Sequence, residues 1–440
     1  MEKTFLNHNM PNRNERLMTT LTSDRKRSSR PGLTPAAVMP SPQTSDEKLA
    51  RALIKGAIPP EMAFASLAYS TGFPIWTASK TVIFLHWSLE SHIHWNVIGD
   101  FNHWEKLPMK RARNHHLWYV EVELPQRLGK NIGYKFVTDE GRVVADPWAL
   151  CFNYDENGEL SYLKAPKRKQ YLMRFNAFES PQGLRTRPLN ILVPPNDGPY
   201  DVLYAHDGQN LFSPDSICGG WKLCEKMRNI NGDFLIVGIF NTEDRLREYT
   251  HQGDVYFDCF QDTLGAKYAD FVEHSVRPFI ESRFPTTGRA GLMGSSLGGL
   301  ISLYISNQFP GRYSDVFALS PTTAWGRFSD DHGKTIRDCY ENSGHQNTFI
   351  YIDHGGEFPP EGVPDVLDKK IAQRDESDWS NPYDNCCYTF DFVNALVEIG
   401  YRQNIDLMYQ HVPGAQHSES DWAARVERPL SLFMQKRAHH

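Results

Sequence analysis

The 440-residue sequence lacks the features that identify several large classes of protein. No apolar run approaches the roughly 20 residues of a membrane-spanning helix. The opening residues MEKTFLNHNMPNRNERLMTT contain no apolar core of a secretory signal. The net charge of −6 gives no excess of basic residues. We therefore expect neither nucleic acid nor a membrane among its partners.

Cysteine is also scarce. The seven cysteines form an odd set without metal-type spacing, and Cys386 and Cys387 are adjacent, which does not suit a disulfide framework. This usage predicts a reduced, cytoplasmic protein, and we expect neither a metal nor a cofactor.

Residues 1–45 are polar and rich in Ser, Thr, Pro and Arg, and the first 30 contain seven Lys/Arg against three acids. A mitochondrial presequence is one interpretation of this composition. Because no amphipathic helical period is visible, we favour a disordered tail.

Residues 46–168 are predicted to form a helical lead-in, broken at Pro59–Pro60, and then an all-β domain. The runs TVIFLHW, HWNVIGDF, LWYVEVEL and IGYKFVTD are short, rich in β-branched and aromatic residues, and separated by turn-forming stretches. This spacing indicates an antiparallel sandwich of about 80 to 100 residues. The pattern ends near Lys164.

Residues 169–438 follow a different pattern, in which apolar runs alternate with helical segments. The runs DVLYAHDG, DFLIVGIF, RAGLMGSS, DVFALSP, TFIYIDHGG and IDLMYQHVPG each end in a loop containing Gly, Asp or Ser. The alternation predicts an α/β domain with a doubly wound, mostly parallel sheet covered on both faces. Functional side chains are then expected at the carboxyl ends of the strands.

The segment Gly294-Ser295-Ser296-Leu297-Gly298 matches G-x-S-x-G, with Ser296 at its centre. A nucleophile on a tight strand-to-helix turn needs small residues at −2 and +2, because side chains there would clash. An apolar strand precedes Ser296 and a helical pattern follows it. We interpret Ser296 as a nucleophile and Ser295 as a small packed residue.

A serine hydroxyl needs a base, which in this chain order follows the last strand. That region offers His411, within the predicted strand, and His417, in the loop after Gly414. We choose His417, because an imidazole in that loop can lie over the serine.

The acid that orients the base is expected in the loop after the preceding strand. Glu357, Asp365 and Asp353 are candidates there, and Glu357, just after Gly355-Gly356, is the first choice. The three remain open.

Two backbone N–H groups are predicted to bind the oxyanion. Leu297 follows the serine at the start of a helix, and Gly208 lies in LYAHDGQNLF after an earlier strand. Gly208 and Gln209 cannot be distinguished from the sequence, and an ordinary turn without a catalytic role is the alternative.

With Ser296 and His417 placed, the chain from about Phe73 to Met434 resembles the enterochelin (enterobactin) esterase-like α/β-hydrolases. The resemblance rests on LYAHDGQNLF, IVGIFNTEDRLREYT, GLMGSSLGGLISLY and GAQHSESDWAARVERPLSLF. It implies a serine esterase and a substrate pocket shaped by Arg245 and Glu248. An ion pair that only fixes a loop is the alternative for these two.

The front domain resembles the immunoglobulin-like N-terminal domain of these esterases and the glycogen-binding (CBM48-type) modules. Trp104 and Lys135 match glucan-holding positions of those modules, but GRVVAD contains no second tryptophan. We therefore favour a structural or lid role over glucan binding.

The resemblance favours a siderophore trilactone as the ester substrate. A ferric catecholate is strongly anionic, and Arg245, Arg247 and Arg425 are available to bind it. A carbohydrate-ester (feruloyl or acetyl) esterase and a non-catalytic glucan-associated protein are the alternatives. The long segment after Asp353, GGEFPPEGVPDVLDKKIAQRDESDWSNPYDN, departs from the family's short loop, and we expect it to cover the active site.

Overall fold

The computed structural model describes residues 42–60, 63, 66–67, 72–78, 81–90, 92–113, 116–125, 132–216, 219–256, 259–327, 333–358 and 386–435. The predicted disordered tail falls almost wholly outside these residues, as does most of the predicted covering segment. Contacts divide the chain into two units, with the boundary between Phe178 and Glu179.

The N-terminal unit begins with helix α1 (Pro42–Ile54), as the lead-in pattern predicts. Eleven strands follow within the described residues: β1 (Ile75–Trp76), β2 (Thr81–Trp87), β3 (Trp95–Gly99), β4 (Leu107–Pro108), β5 (Lys110–Arg111), β6 (Leu117–Glu123), β7 (Gly133–Thr138), β8 (Val143–Val144), β9 (Cys151–Asp155), β10 (Gly158–Tyr162) and β11 (Tyr171–Phe178).

These strands form two antiparallel sheets with a shared core. One sheet has the order β1-β2-β6-β5, and the other contains β11-β9-β10-β7-β3-β4, with β8 beside β7. Val82, Phe84, Val97, Tyr134 and Phe136, from strands of both sheets, are buried in one cluster. The expected β-rich front domain is therefore present.

The front unit ends ten residues later than the predicted boundary at 168. Leu172 and Met173 of β11 pair with Phe152 and Cys151 of β9, so β11 belongs to the front sheet. Sequence periodicity does not show which neighbour a strand will choose.

The C-terminal unit contains one mixed sheet of seven strands among the described residues, in the order β20-β19-β18-β17-β13-β14-β12. All neighbours are parallel except β12, which runs antiparallel to β14. The strands are β12 (Arg187–Val193), β13 (Tyr200–His206), β14 (Leu235–Ile239), β17 (Thr286–Ser295), β18 (Asp315–Leu319), β19 (Phe349–His354) and β20 (Leu407–His411); β15 (Asp254–Tyr256) and β16 (Cys259–Gln261) form a separate hairpin.

Helices connect these strands. They are α2 (Leu223–Asn229), α3 (Arg245–Glu248), α4 (Gly265–Phe271), a π-helical turn (Val272–Val276), α5 (Arg277–Arg283), α6 (Leu297–Gln308), α7 (Ile336–Ser343), α8 (Cys386–Glu398), α9 (Glu419–Arg425) and α10 (Glu427–Met434). None of the described helices is long and apolar enough to cross a bilayer.

The six apolar runs predicted as strands are all strands, and β13, β14, β18 and β19 are buried along their whole length. Burial on both faces explains why these runs are continuously apolar rather than alternating. The mostly parallel sheet is therefore confirmed, and the doubly wound arrangement stays a prediction. Because Ser295 pairs with Leu319 and Leu319 with Asp353, the carboxyl ends of β17, β18 and β19 lie side by side.

Candidate active site

Ser296 lies on a sharp turn between β17 and α6. Its φ of 55° and ψ of −124° place a non-glycine residue in a strained region of backbone space. A Cβ on Gly294 would lie 2.4 Å from the carbonyl carbon of Gly298. The two flanking glycines therefore face each other, and the steric requirement read from the sequence holds in three dimensions.

His417 meets this serine across the end of the sheet. Its Nε2 lies 2.8 Å from Oγ of Ser296. The imidazole packs edge-on against Trp422, with ring centroids 4.9 Å apart and planes at 84°. Ser418 caps helix α9, because its side chain accepts a hydrogen bond from the Asp421 amide. The cap fixes where the loop that contains His417 ends and the helix begins.

Thr322 is a neighbour of the serine that the sequence did not reveal. Its Oγ1 lies 3.3 Å from Oγ of Ser296, and its backbone N–H donates to the Ser296 carbonyl at 3.2 Å. Thr322 comes just after β18, so its position depends on the pairing of β17 with β18. A threonine after a strand is too common a pattern to have indicated this role.

The turn that contains Gly208 lies beside the serine turn. Asp207 has a left-handed φ of 57° and starts the 3-10 turn Gly208–Asn210. A Cβ on Gly208 would lie 2.6 Å from the carbonyl carbon of Gly238. Likewise, a Cβ on Gly298 would lie 3.2 Å from Oδ2 of Asp207. At Gly208 only glycine allows so close an approach to the backbone of Gly238.

Arg245 supports this turn through an ion pair with Asp207. Its Nε and Nη2 donate to Oδ1 and Oδ2 of Asp207 at 2.7 and 2.8 Å, and the Asn241 amide donates to Oδ1 at 2.6 Å. Nearby Arg245 keeps the pKa of Asp207 below its usual value, although burial opposes this. Arg245 therefore holds the turn through Asp207.

Glu248 does not match the expected substrate-binding role. It is fully buried, and Arg187 donates to its two carboxylate oxygens at 2.8 and 2.6 Å. A carboxylate with no exposed surface and both oxygens bonded to one guanidinium cannot contact a substrate. The alternative, an ion pair that only fixes a loop, agrees with the structure in the form of two separate pairs, Arg245 with Asp207 and Glu248 with Arg187.

Asp353 ends β19 and is completely buried. Its Oδ1 lies 3.0 Å from Nε of Arg425, and the Tyr351 hydroxyl donates to its Oδ2 at 2.9 Å. Arg425 in turn donates through Nη2 to Oγ of Ser320 at 2.6 Å. Burial raises the pKa of Asp353, while Arg425 opposes that rise. This candidate acid is thus engaged with Arg425.

Glu357 lies in the loop after β19 and is exposed. Among the described residues its carboxylate forms no hydrogen bond or ion pair, which does not agree with an acid that orients an imidazole. Asp365 lies outside the described residues. The loop is nevertheless linked to the histidine loop, because the Gly356 amide donates to the Ala415 carbonyl at 2.7 Å.

His411 lies at the end of β20, as predicted, and is half-buried. Its Nε2 is 2.8 Å from the Gly356 carbonyl, and its ring stacks on His354 with centroids 4.8 Å apart. It therefore packs beside the loop rather than against Ser296.

The three arginines expected to attract an anionic substrate already have carboxylate partners. Arg245 pairs with Asp207 and Arg425 with Asp353, as described above. Arg247 pairs with Asp262 and lies 3.5 Å from Asp244. The expectation that these arginines form a basic pocket is not supported.

The N-terminal unit has an open groove of about 530 Å³ at the position of the glucan-holding residues. Trp104 is 42% exposed there, so it is not a core aromatic. Lys135 is buried and its Nζ donates to the Asn157 carbonyl at 3.0 Å. Val143 occupies the stretch where a second tryptophan is missing, and it is exposed. The described residues contain no cluster of three or more His, Cys, Asp or Glu side chains suited to a metal.

Two protein-family models match the chain. The family described as "Putative esterase" matches residues 181–382, which include the serine turn. Carbohydrate-binding module 48 (isoamylase N-terminal domain) matches residues 73–149.

Individual proteins that are similar to this chain have low sequence identity to it. The siderophore triacetylfusarinine C esterase of Aspergillus fumigatus is 25% identical over 190 residues, 40% of this chain and 64% of that protein. The uncharacterized protein YbbA of Bacillus subtilis is 27% identical over 146 residues, 30% of this chain and 56% of that protein. The chain thus matches less than two thirds of either relative's length. The crystal structure of the enterobactin esterase of Shigella flexneri with 2,3-di-hydroxy-N-benzoyl-glycine is 14% identical, with a TM-score of 0.43, covering 84% of this chain and 98% of that one.

Proposed function

We propose that the chain, in which residues 181–382 match the putative esterase family and residues 73–149 match carbohydrate-binding module 48, is a serine carboxylic-ester hydrolase that acts through an acyl-enzyme. The observation that supports this most directly is the 2.8 Å distance between Nε2 of His417 and Oγ of Ser296. A hydroxyl within hydrogen-bonding reach of a histidine nitrogen, on a strained strand-to-helix turn, suits an activated nucleophile.

In the proposed reaction, Nε2 of His417 takes the Ser296 proton as Oγ attacks the ester carbonyl. The tetrahedral intermediate collapses, and the imidazolium gives its proton to the leaving alkoxide. Water, deprotonated by the same histidine, then attacks the acyl-enzyme. The second tetrahedral intermediate collapses to release the acid, and the imidazolium returns its proton to Oγ of Ser296.

The oxyanion is assigned to the backbone N–H groups of Leu297 and Gly208. Leu297 is the first residue of α6, where the N–H groups have no partner within the helix and the dipole favours negative charge. Gly208 lies in a turn that Asp207 and Arg245 hold from behind. Fixed donors of this kind stabilise the transition state without having to reorganise.

For the orienting acid we propose Asp365. Asp353 is engaged with Arg425, and the Glu357 carboxylate has no hydrogen-bonded partner among the described residues. Asp365 is the third of the three candidates.

The substrate we propose is a siderophore ester of low negative charge. The Aspergillus fumigatus relative is a siderophore esterase, which favours this class. Arg245, Arg247 and Arg425 are each paired with an aspartate of the protein. A strongly anionic ferric catecholate would have to compete with these aspartates for the arginines. A carbohydrate ester is the alternative substrate.

Labelling by a fluorophosphonate probe tests the nucleophile. The wild type and Ser295→Ala, as the matched control, should be labelled, and Ser296→Ala should not. Labelling unaffected by Ser296→Ala, or no labelling of folded wild type, would favour a non-catalytic protein.

Hydrolysis of a small panel then tests the substrate class. The panel comprises p-nitrophenyl acetate, a catecholate trilactone with and without iron, a neutral ferric hydroxamate ester and methyl ferulate. We expect the highest kcat/KM for the hydroxamate ester. A preference for the ferric catecholate would contradict the charge argument, and one for methyl ferulate would favour a carbohydrate ester.

A second candidate function, glucan binding by the front domain, is favoured by the match of residues 73–149 to carbohydrate-binding module 48 and by the exposure of Trp104 on its groove. Affinity electrophoresis in glycogen tests it with Trp104→Ala and, as control, Leu89→Ala, which alters another exposed apolar residue. If glycogen slows the migration of the control but not that of Trp104→Ala, the result would support glucan binding by the front domain. If glycogen changes the migration of none of these proteins, the groove does not bind glucan.

A further inference from the structure

Glu419 is a buried acidic residue that the proposed reaction does not use. It is the first residue of α9 and lies two positions after His417. Its Oε1 accepts a hydrogen bond from the Asn210 side-chain amide at 2.9 Å, and its Oε2 accepts one from the Trp221 indole. Both carboxylate oxygens therefore bond to a segment of the chain about two hundred residues earlier.

Asn210 closes the turn that contains Gly208. It is buried, its backbone N–H donates to the Asp207 carbonyl at 2.9 Å, and its own carbonyl accepts from the Trp221 amide at 2.8 Å. A shift of the Asn210 side chain would therefore displace the turn that presents Gly208.

The Trp221 side also leads to the proposed base. The ring of Trp221 lies 6.5 Å from that of Trp422, which packs edge-on against His417. Glu419 and Trp422 are both on α9, so one short helix contacts the glycine turn and the histidine together.

The surroundings of Glu419 raise its pKa above the ordinary value overall. Burial raises the pKa of Glu419, and nearby Asp207 raises it further, whereas the hydrogen bonds from Trp221 and Asn210 lower it. A buried carboxylate is costly unless donors satisfy it, and these two donors do so.

We propose that Glu419 is a positioning residue: it fastens the turn of Gly208 to the loop of His417 and so fixes the oxyanion donor relative to the base. The inference rests on the proposed function, because both groups take their roles from it. Glu419 itself touches no reacting atom. A displacement of about 1 Å in a catalytic group can lower the rate about a hundredfold, so a fastening of this kind matters for kcat.

Glu419→Gln tests the inference, because the amide keeps the shape but can satisfy only one of the two donors. We expect kcat for p-nitrophenyl acetate to fall about 10- to 100-fold. KM should change less than threefold, with Tm within a few degrees of wild type. Glu427→Gln is the matched control, since Glu427 begins the next helix and its carboxylate pairs with Lys226 at 3.3 Å; its kcat should stay at the wild-type value.

A second variant keeps the test informative if Glu419→Gln is unstable. Asn210→Ala removes one of the two hydrogen bonds to Glu419. In the double variant Asn210→Ala/Glu419→Gln, the loss of kcat should be smaller than the two single losses combined, because both substitutions disrupt the same contact. A kcat within twofold of wild type for both folded variants, or fully additive losses, would overturn the inference.

A readout independent of catalysis separates this inference from the proposed function. The Trp221 indole N–H resonance, assigned by its loss in Trp221→Phe, should move upfield in Glu419→Ala and stay in place in Glu427→Gln. If folded wild type hydrolyses no ester and resists the fluorophosphonate, the proposed function fails. An unmoved indole resonance in Glu419→Ala would instead overturn the inference alone.

Discussion

Nε2 of His417 lies 2.8 Å from Oγ of Ser296, although 121 residues separate them in the chain. The parallel sheet makes this contact possible, because β17 and β20 end at the same edge. The serine follows one strand and the histidine follows the other, so two loops meet above that edge.

The orienting acid should be revealed by single substitutions of Asp365 and Glu357. Asp365→Asn should lower kcat about 10⁴-fold, as loss of a triad acid does in other serine hydrolases. Glu357→Gln should stay within a few fold of wild type. Single-turnover hydrolysis of p-nitrophenyl acetate measures both effects, and the reverse result would restore Glu357 as the acid.

Asp353→Asn should act on stability more than on catalysis. The substitution leaves the buried Arg425 guanidinium without its carboxylate, a change that typically costs about 3 to 5 kcal/mol. Urea unfolding measures it. A wild-type free energy of unfolding combined with a 10⁴-fold lower kcat would instead identify Asp353 as the acid.

The glycine before the serine should not tolerate alanine. In Gly294→Ala the new Cβ would lie 2.4 Å from the Gly298 backbone, so the turn must shift. We expect loss of fluorophosphonate labelling and destabilisation by about 1 to 3 kcal/mol. Gly288→Ala, in the same strand, is the control: its Cβ meets nothing within 4 Å and only its φ of +89° is strained. That control should keep its labelling, and equal loss in both variants would contradict a local steric effect.

The buried ion pair of Arg187 and Glu248 should be costly to break. Arg187→Met leaves a buried, unpaired carboxylate, and we expect a loss of about 3 to 5 kcal/mol in urea unfolding. The double variant Arg187→Met/Glu248→Met should recover most of it. Arg185→Met, two residues earlier with a side chain 56% exposed, should cost less than about 1 kcal/mol. Similar losses for Arg185→Met and Arg187→Met would show that the pair has no special role.

Two buried histidines should make the protein less stable in acid. Burial lowers the pKa of His86 to about 3 and that of His206 to about 4. An unfolded histidine titrates near pH 6.5, so below that pH the unfolded chain binds protons that the folded protein does not. The contribution of these two neutral histidines to the free energy of unfolding is therefore fully present above about pH 6.5. It decreases as the pH falls towards 4, by up to about 1.4 kcal/mol per pH unit for each histidine.

His206→Gln should remove one of these contributions. The slope of unfolding free energy against pH, for the transition of the C-terminal unit, should become shallower between pH 6 and 4.5. His274→Gln is the control, because the His274 side chain is 58% exposed. An unchanged slope in His206→Gln would show that His206 does not cause the acid sensitivity.

The sequence alone predicted the parts of the fold that depend on local pattern. Continuous apolar runs predicted the buried strands of the C-terminal sheet, and alternation with helices predicted that the sheet is mostly parallel. The pattern did not reveal that β11 joins the front sheet or that β12 runs antiparallel to β14. Both depend on which strand edge is left to pair, and periodicity within one strand contains no such information.

The same division holds for the site. The G-x-S-x-G spacing singled out Ser296, because a strained turn imposes a local steric rule that adjacent residues must obey. Chain order pointed to His417. Only the tertiary structure decided which side chains meet: the ion pairs of Arg245 with Asp207, Glu248 with Arg187 and Arg425 with Asp353, and the hydrogen bond of Asn210 to Glu419. Each pair joins segments that are distant in the sequence. A buried polar or charged side chain loses its contacts with water and bonds to the partner that the fold brings beside it, so no spacing along the chain could have specified these pairs.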